Sequence, residues 1–106
     1  MAKYLFRASY TASGAAGLLK EGGSGRAKAV TALAASVGGS VETMYWALGG
    51  DDFYVIADLP DAAAAAALSL AVGASGAASI TTAALFSADD VDEIVGRRVE
   101  YRPPGA

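Results

Sequence analysis

Two adjacent carboxylates, Asp51 and Asp52, follow a Gly49-Gly50 pair in the run LGGDDFYVIADLP, Leu48 to Pro60. Acids side by side on a glycine turn raise the reading of a metal-binding catalytic hairpin. The competing reading is structural. Asp tolerates turn geometry and hydrogen-bonds nearby backbone, and the segment lies between two runs rich in aromatic and β-branched residues. Gly49 to Asp52 are therefore read as a hairpin connection.

A second group with chemical potential is KEGGSGRAK, Lys20 to Lys28. Glycine amides ahead of a helix start, with cationic side chains nearby, suit a small anion. Gly22, Gly23, Ser24 and Arg26 are the candidates. The segment has neither the Walker A spacing nor a strand feeding into it, so a solvated connector is the plainer reading. Asp89, Asp90, Asp92 and Glu93 form the one acidic cluster; at a helix start they complement the dipole, and they lack the spaced oxygens and glycine turn of a calcium loop. Tyr10, Tyr45, Trp46, Asp52 and Tyr54 are the polar-tipped or charged groups able to reach a ligand. Such a ligand is expected between a sheet and its covering helices or at a subunit seam. The alternative for the aromatics is core packing with polar tips near the rim.

Composition narrows the chemistry further. The 106 residues contain no Cys and no His, which removes thiolate nucleophiles, thiolate and imidazole metal ligands, and imidazole bases. Neither a metal nor a cofactor is expected. A net charge of -3 supplies no basic field for phosphate backbones, so no nucleic-acid partner is expected. Behind MAKYLFRASYTASG no apolar run follows Lys3 and Arg7, unlike a signal peptide, and a cytoplasmic location is expected. Ala62 to Ala88 is long and uncharged, but Gly73, Gly76 and many small residues argue for a helix, a turn and a buried strand instead of a membrane span.

The elements that would position these residues follow from periodicity. Lys3 to Tyr10 alternates as a strand. Ala15 to Lys20 predicts a short helix that EGGSG interrupts, since consecutive glycines are costly inside a helix. A second helix runs from Arg26, with Val30, Leu33, Ala34 and Val37 at helical spacing and Gly38-Gly39 as its stop. Val41 to Leu48 and Phe53 to Leu59 predict the paired strands. Pro60-Asp61 opens an Ala-rich helix with Asp61 as cap. Ala78 to Phe86 predicts a fourth strand, and Ser87 with Asp90 a capping box for a short helix through Val95. The tail from Val99 to Ala106 is expected to be extended, outside a single domain of residues 1–98.

This β-α-β-β-α-β order predicts an α+β fold of ferredoxin-like type, an antiparallel sheet with both helices on one face. In the third strand Phe53, Val55 and Ala57 oppose Tyr54 and Ile56; in the second, Val41 and Tyr45 oppose Met44, Trp46 and Leu48. Both faces of the sheet are then apolar, where one solvated face would show polar alternation. A homodimer through the second face is expected, the competing arrangement being the tail with Val99 and Tyr101 folded over it.

Two resemblances bear on this. Gly49 to Phe53 resembles the GGDEF signature of cyclic-dinucleotide cyclases, in which the hairpin acid shares metal ions with an Asp of the first strand; here KYLFRASY carries no acid and Asp52 stands in place of Glu. A wider likeness spans almost the whole chain. GGSVETMYWALGGDDFYVIADLPD resembles the GYD-domain family of small bacterial and archaeal proteins, with Gly38-Gly39, a strand, Gly49 and Asp52, a hydrophobic strand and Pro60-Asp61 in that order. The flanking YTASGAAGLLKEGG and the ending YRPPGA are similar to one branch of it, although Asp51 stands where the family often has Tyr. The resemblance implies a dimeric α/β barrel, ferredoxin-like fold and no particular reaction. The expected function is a small-molecule binding or structural module in homodimeric form. The alternative is a cofactor-independent oxygenase or isomerase acting on a small aromatic compound in the barrel cavity, with Asp52 or a Tyr as base.

Overall fold

The computed structural model describes all 106 residues. Seven elements follow in order: β1 Ala2–Tyr10, α1 Ala12–Ser36, β2 Ser40–Trp46, β3 Phe53–Leu59, α2 Ala62–Ala74, β4 Ala78–Leu85 and α3 Ala88–Val95. The strands form one antiparallel α+β sheet in the order β2-β3-β1-β4. α1 lies over β1 and β2, and α2 over β3 and β4, all on one face.

Alternation decides that face. Tyr4, Phe6 and Ala8 of β1 and Phe53, Val55, Ala57 and Leu59 of β3 are buried beneath the helices with Ala65 and Leu68 of α2. From α1, Val30, Leu33 and Val37 pack onto this cluster, as their helical spacing predicts. The helix starts are chemically capped. The Thr11 side chain accepts from the Gly14 amide, Asp61 from the Ala64 amide, and Ser87 and Asp90 form the reciprocal box.

Two local features differ from the sequence expectation. The EGGSG segment interrupts the helix as expected, but at one residue only: Gly22 leaves helical geometry, at φ 76° and ψ 173°. A second helical stretch begins at Gly23, ahead of the expected Arg26, so that α1 is two helices joined across a kink. A single residue absorbs the bend because glycine adopts that backbone region without steric penalty. In β2 the register shifts between Val41 and Thr43, an irregularity at Glu42. Val41 thereby lies opposite Ala57 and joins Met44 and Trp46 on the helix side, instead of sharing a face with Tyr45.

The sheet's other face has no covering element of its own chain. It presents Leu5, Arg7 and Ser9, the cross-strand pair Tyr45 and Tyr54, and Ile56. Tyr45 is 71% and Tyr54 36% exposed. The tail does not fold over this face, since Val99 is 79% and Tyr101 73% exposed. At one corner Lys3 donates to Glu42 and to Asp58, the latter at 2.9 Å. These hydrogen bonds, Glu42 first, hold the Lys3 ammonium above its ordinary value of 10.5. No helix is long and apolar enough to cross a membrane.

Candidate functional site

Small residues on both helices and on the sheet leave space between the layers. α1 and α2 stand apart over opposite halves of the sheet, and a cavity of about 380 Å³ opens between them. Its floor includes Phe6, Ala8, Val55 and Ala57; its walls include Val30, Leu33 and Ala34 of α1 and Leu68, Ala71 and Val72 of α2. That volume falls in the range of small-molecule sites, which are mostly apolar with few placed polar groups.

The polar complement is sparse. Of the 18 lining residues 16 are hydrophobic, leaving Arg26 and Ser75. The Ser75 hydroxyl is already engaged, donating to the Val72 carbonyl at 2.6 Å and accepting from the Ala77 amide. Arg26 differs. Its side chain is 34% exposed and its Nη1 lies 3.6 Å from Glu21, across the Gly22 kink. Its Nε is buried without a hydrogen-bond partner. Arg26 precedes Val30, Leu33 and Ala34 by four, seven and eight residues, so it occupies the inward stripe of α1.

Tyr10 separates this cavity from a second, more open groove of about 390 Å³ at the end of the sheet. Leu18 and Leu19 of α1, with Trp46 and Asp52, line the groove. Trp46 stacks on Phe53 at 4.6 Å between centroids, and its indole N–H donates to the Tyr10 hydroxyl at 3.3 Å. Asp52 is a brace: its carboxylate accepts the Tyr10 amide at 2.9 Å, while its own amide donates to Ala8. Asp51 accepts from the Ser9 hydroxyl at 3.1 Å and stands 4.0 Å from Arg7. Both acids of the glycine turn therefore tie the β2–β3 connection to β1. They join no cluster of three potential metal ligands.

The structure thus sorts the sequence candidates into separate places. Tyr10, Trp46 and Asp52 meet at the groove, and Tyr10 alone of them also reaches the cavity. Tyr45 and Tyr54 pair on the opposite face of the sheet. Gly22, Gly23 and Ser24 are exposed around the kink and do not line the cavity, whereas Arg26 does. Sequence reasoning grouped Arg26 with the glycines and missed its cavity position. Carrying the Val30–Leu33–Ala34 stripe one turn back would have found it.

A family model described as GYD domain matches residues 4–95. Comparison with curated proteins and with solved structures finds no match.

Proposed function

The chain belongs to the GYD domain family, and from that premise we infer that it is a small-molecule binding module whose ligand enters the cavity between α1, α2 and the sheet. The observation that carries this reading is the cavity itself, apolar and of ligand size, in a chain with no large residue placed to fill it. A void lined by apolar groups loses packing contacts, and a fitting ligand restores them. The element order and the sheet order β2-β3-β1-β4 support a ferredoxin-like arrangement. The uncovered face with Leu5, Tyr45, Tyr54 and Ile56 supports a homodimer of the dimeric α/β barrel type, with an interface of at least about 1,000 Å². Residues 99–106 stand apart from this domain as a tail.

Catalysis by an oxygenase or isomerase would ask for a base facing the ligand. Of the groups proposed for that part, Asp52 lies outside the cavity lining with its carboxylate on the Tyr10 amide, and the lining has no acid. Tyr10, the one Tyr that reaches the cavity, has its hydroxyl engaged as acceptor of the Trp46 indole N–H. Binding is therefore the reading preferred over turnover.

The test uses N-phenyl-1-naphthylamine, a neutral apolar fluorophore, with the full chain. Saturable fluorescence enhancement that Ala71→Phe abolishes, because the new ring occupies the cavity, is the expected result. Enhancement unaffected by Ala71→Phe, or none at all, overturns the assignment. Native mass spectrometry of freshly purified protein supplies the companion measurement, a retained ligand appearing as mass above that of the denatured chain.

A further inference from the structure

Resting on that binding reading, we propose that the cavity is selective for an apolar monocarboxylate, whose carboxylate is received by the Nε side of Arg26. The argument begins with what is unsatisfied. A buried N–H without an acceptor is uncommon in folded proteins and calls for an explanation, and Arg26 Nε is such a group. Guanidinium carries five N–H donors in a fixed fork. Glu21 takes the Nη1 side, at 3.6 Å, and leaves the Nε side without a partner.

Charge and shape then define the ligand. Arg26 is the one charged residue in the lining, and the Ser75 hydroxyl is occupied within its own helix end. One cation with one edge left unpaired matches a planar, singly charged carboxylate, which pairs with guanidinium through parallel hydrogen bonds once the side chain turns that closed-off edge to the cavity. A phosphate dianion would ask for further donors that this lining does not offer. The remaining wall is aliphatic and aromatic, so the body of the ligand is hydrocarbon: a medium-chain acyl group or an aryl-alkyl acid. Glu21, being the present partner of the guanidinium, competes with the ligand's carboxylate and tunes its affinity.

Decanoic acid and 1-decanol separate the two layers of the argument, since both offer the same hydrocarbon and differ in the anionic head. Their binding to the full-length protein is followed by amide and methyl NMR shifts of Val30, Leu33 and Val72 and by calorimetry. The expected result is that the acid binds at least about tenfold more tightly than the alcohol, as one charge-assisted pair allows. Arg26→Gln removes that preference, bringing the acid-to-alcohol affinity ratio to about one, while Glu21→Gln strengthens acid binding. Equal binding of acid and alcohol in the native protein, or an acid preference that survives Arg26→Gln, overturns the carboxylate proposal and leaves the cavity reading standing. Neither compound shifting the lining resonances overturns both. If Arg26→Gln fails to fold, Glu21→Gln decides: unchanged or weaker acid binding then overturns the proposal.

Discussion

At the scale of single residues, the glycine-turn acids show how a catalytic-looking pattern resolves into structural bonding. Asp52 accepts a main-chain N–H of β1 that would otherwise lack a partner there. Asp52→Ala is expected to destabilise the fold by about 1.5–3 kcal/mol, the range for hydrogen bonds to charged groups, with Asp52→Asn recovering part of the loss. Urea midpoints of the three proteins check this, and full stability in the alanine variant would remove the brace. Gly14 carries a different constraint. A Cβ there would collide with the Ala77 carbonyl, because the first turn of α1 closes directly on the β4 entrance. Gly17, one turn on, faces open space. Gly14→Ala is expected to cost about 1–3 kcal/mol as overpacking, whereas Gly17→Ala gains up to about 1 kcal/mol from helix propensity and a less flexible unfolded chain. Thermal unfolding of the pair separates close approach from mere helix preference.

At the scale of elements, the kink in α1 and the corner of the sheet each make a prediction. Gly22 occupies a backbone region essentially confined to glycine. Although a Cβ there meets no neighbour, Gly22→Ala is expected to destabilise by about 1–3 kcal/mol through backbone strain alone. Gly23→Ala, beside it within the resumed helix, is the control and is expected to be neutral or stabilising. The Lys3 network joins β1, β2 and β3, and its folded pKa lies above the ordinary value. Protons are then bound more tightly in the folded state, so this stabilisation is complete below pH 10.5 and is lost as pH rises through the higher folded value. Unfolding midpoints of the native protein and Lys3→Met should differ below that pH and converge above the raised folded value. Much of this level was legible beforehand. Strand alternation, the Asp61 cap and the Ser87–Asp90 box are local chemistry, and they stand where their residues predicted. The Glu42 irregularity was not legible, because the register of β2 is decided by pairing with β3 and by Lys3 reaching across from β1. A pocket between sheet and helices was among the expected places, but its size and lining were not legible, because they arise from what Ala34, Ala57 and Ala71 fail to fill once two helices settle over separate strands.

At the scale of the whole molecule, the shape is the telling quantity. The radius of gyration is 16.8 Å, against about 13 Å for a compact domain of this length. The dimensions are 57 × 32 × 23 Å. Part of the chain therefore projects from the body, and α3 with the tail accounts for it: α3 buries none of its residues while Val91, Ile94 and Val95 remain exposed. An eight-residue helix is marginal in water without tertiary support. Its apolar side, like the open sheet face, gains most from a second copy of the chain, since only 11 of 106 residues are buried in the single one. The expected outcome is a dimer of twice 10.5 kDa in sedimentation equilibrium. Ile56→Lys places a charge in the middle of the open face beside Tyr45 and Tyr54, and it should shift the equilibrium to monomer because an unpaired charge in a dry interface is costly. Hydrogen exchange then links the two surfaces. If dimerisation also supports α3, its amides lose protection in Ile56→Lys together with the mass change. Retained protection in the monomer would mean that α3 is held by its own chain, and a monomeric native protein would leave the open face to another partner.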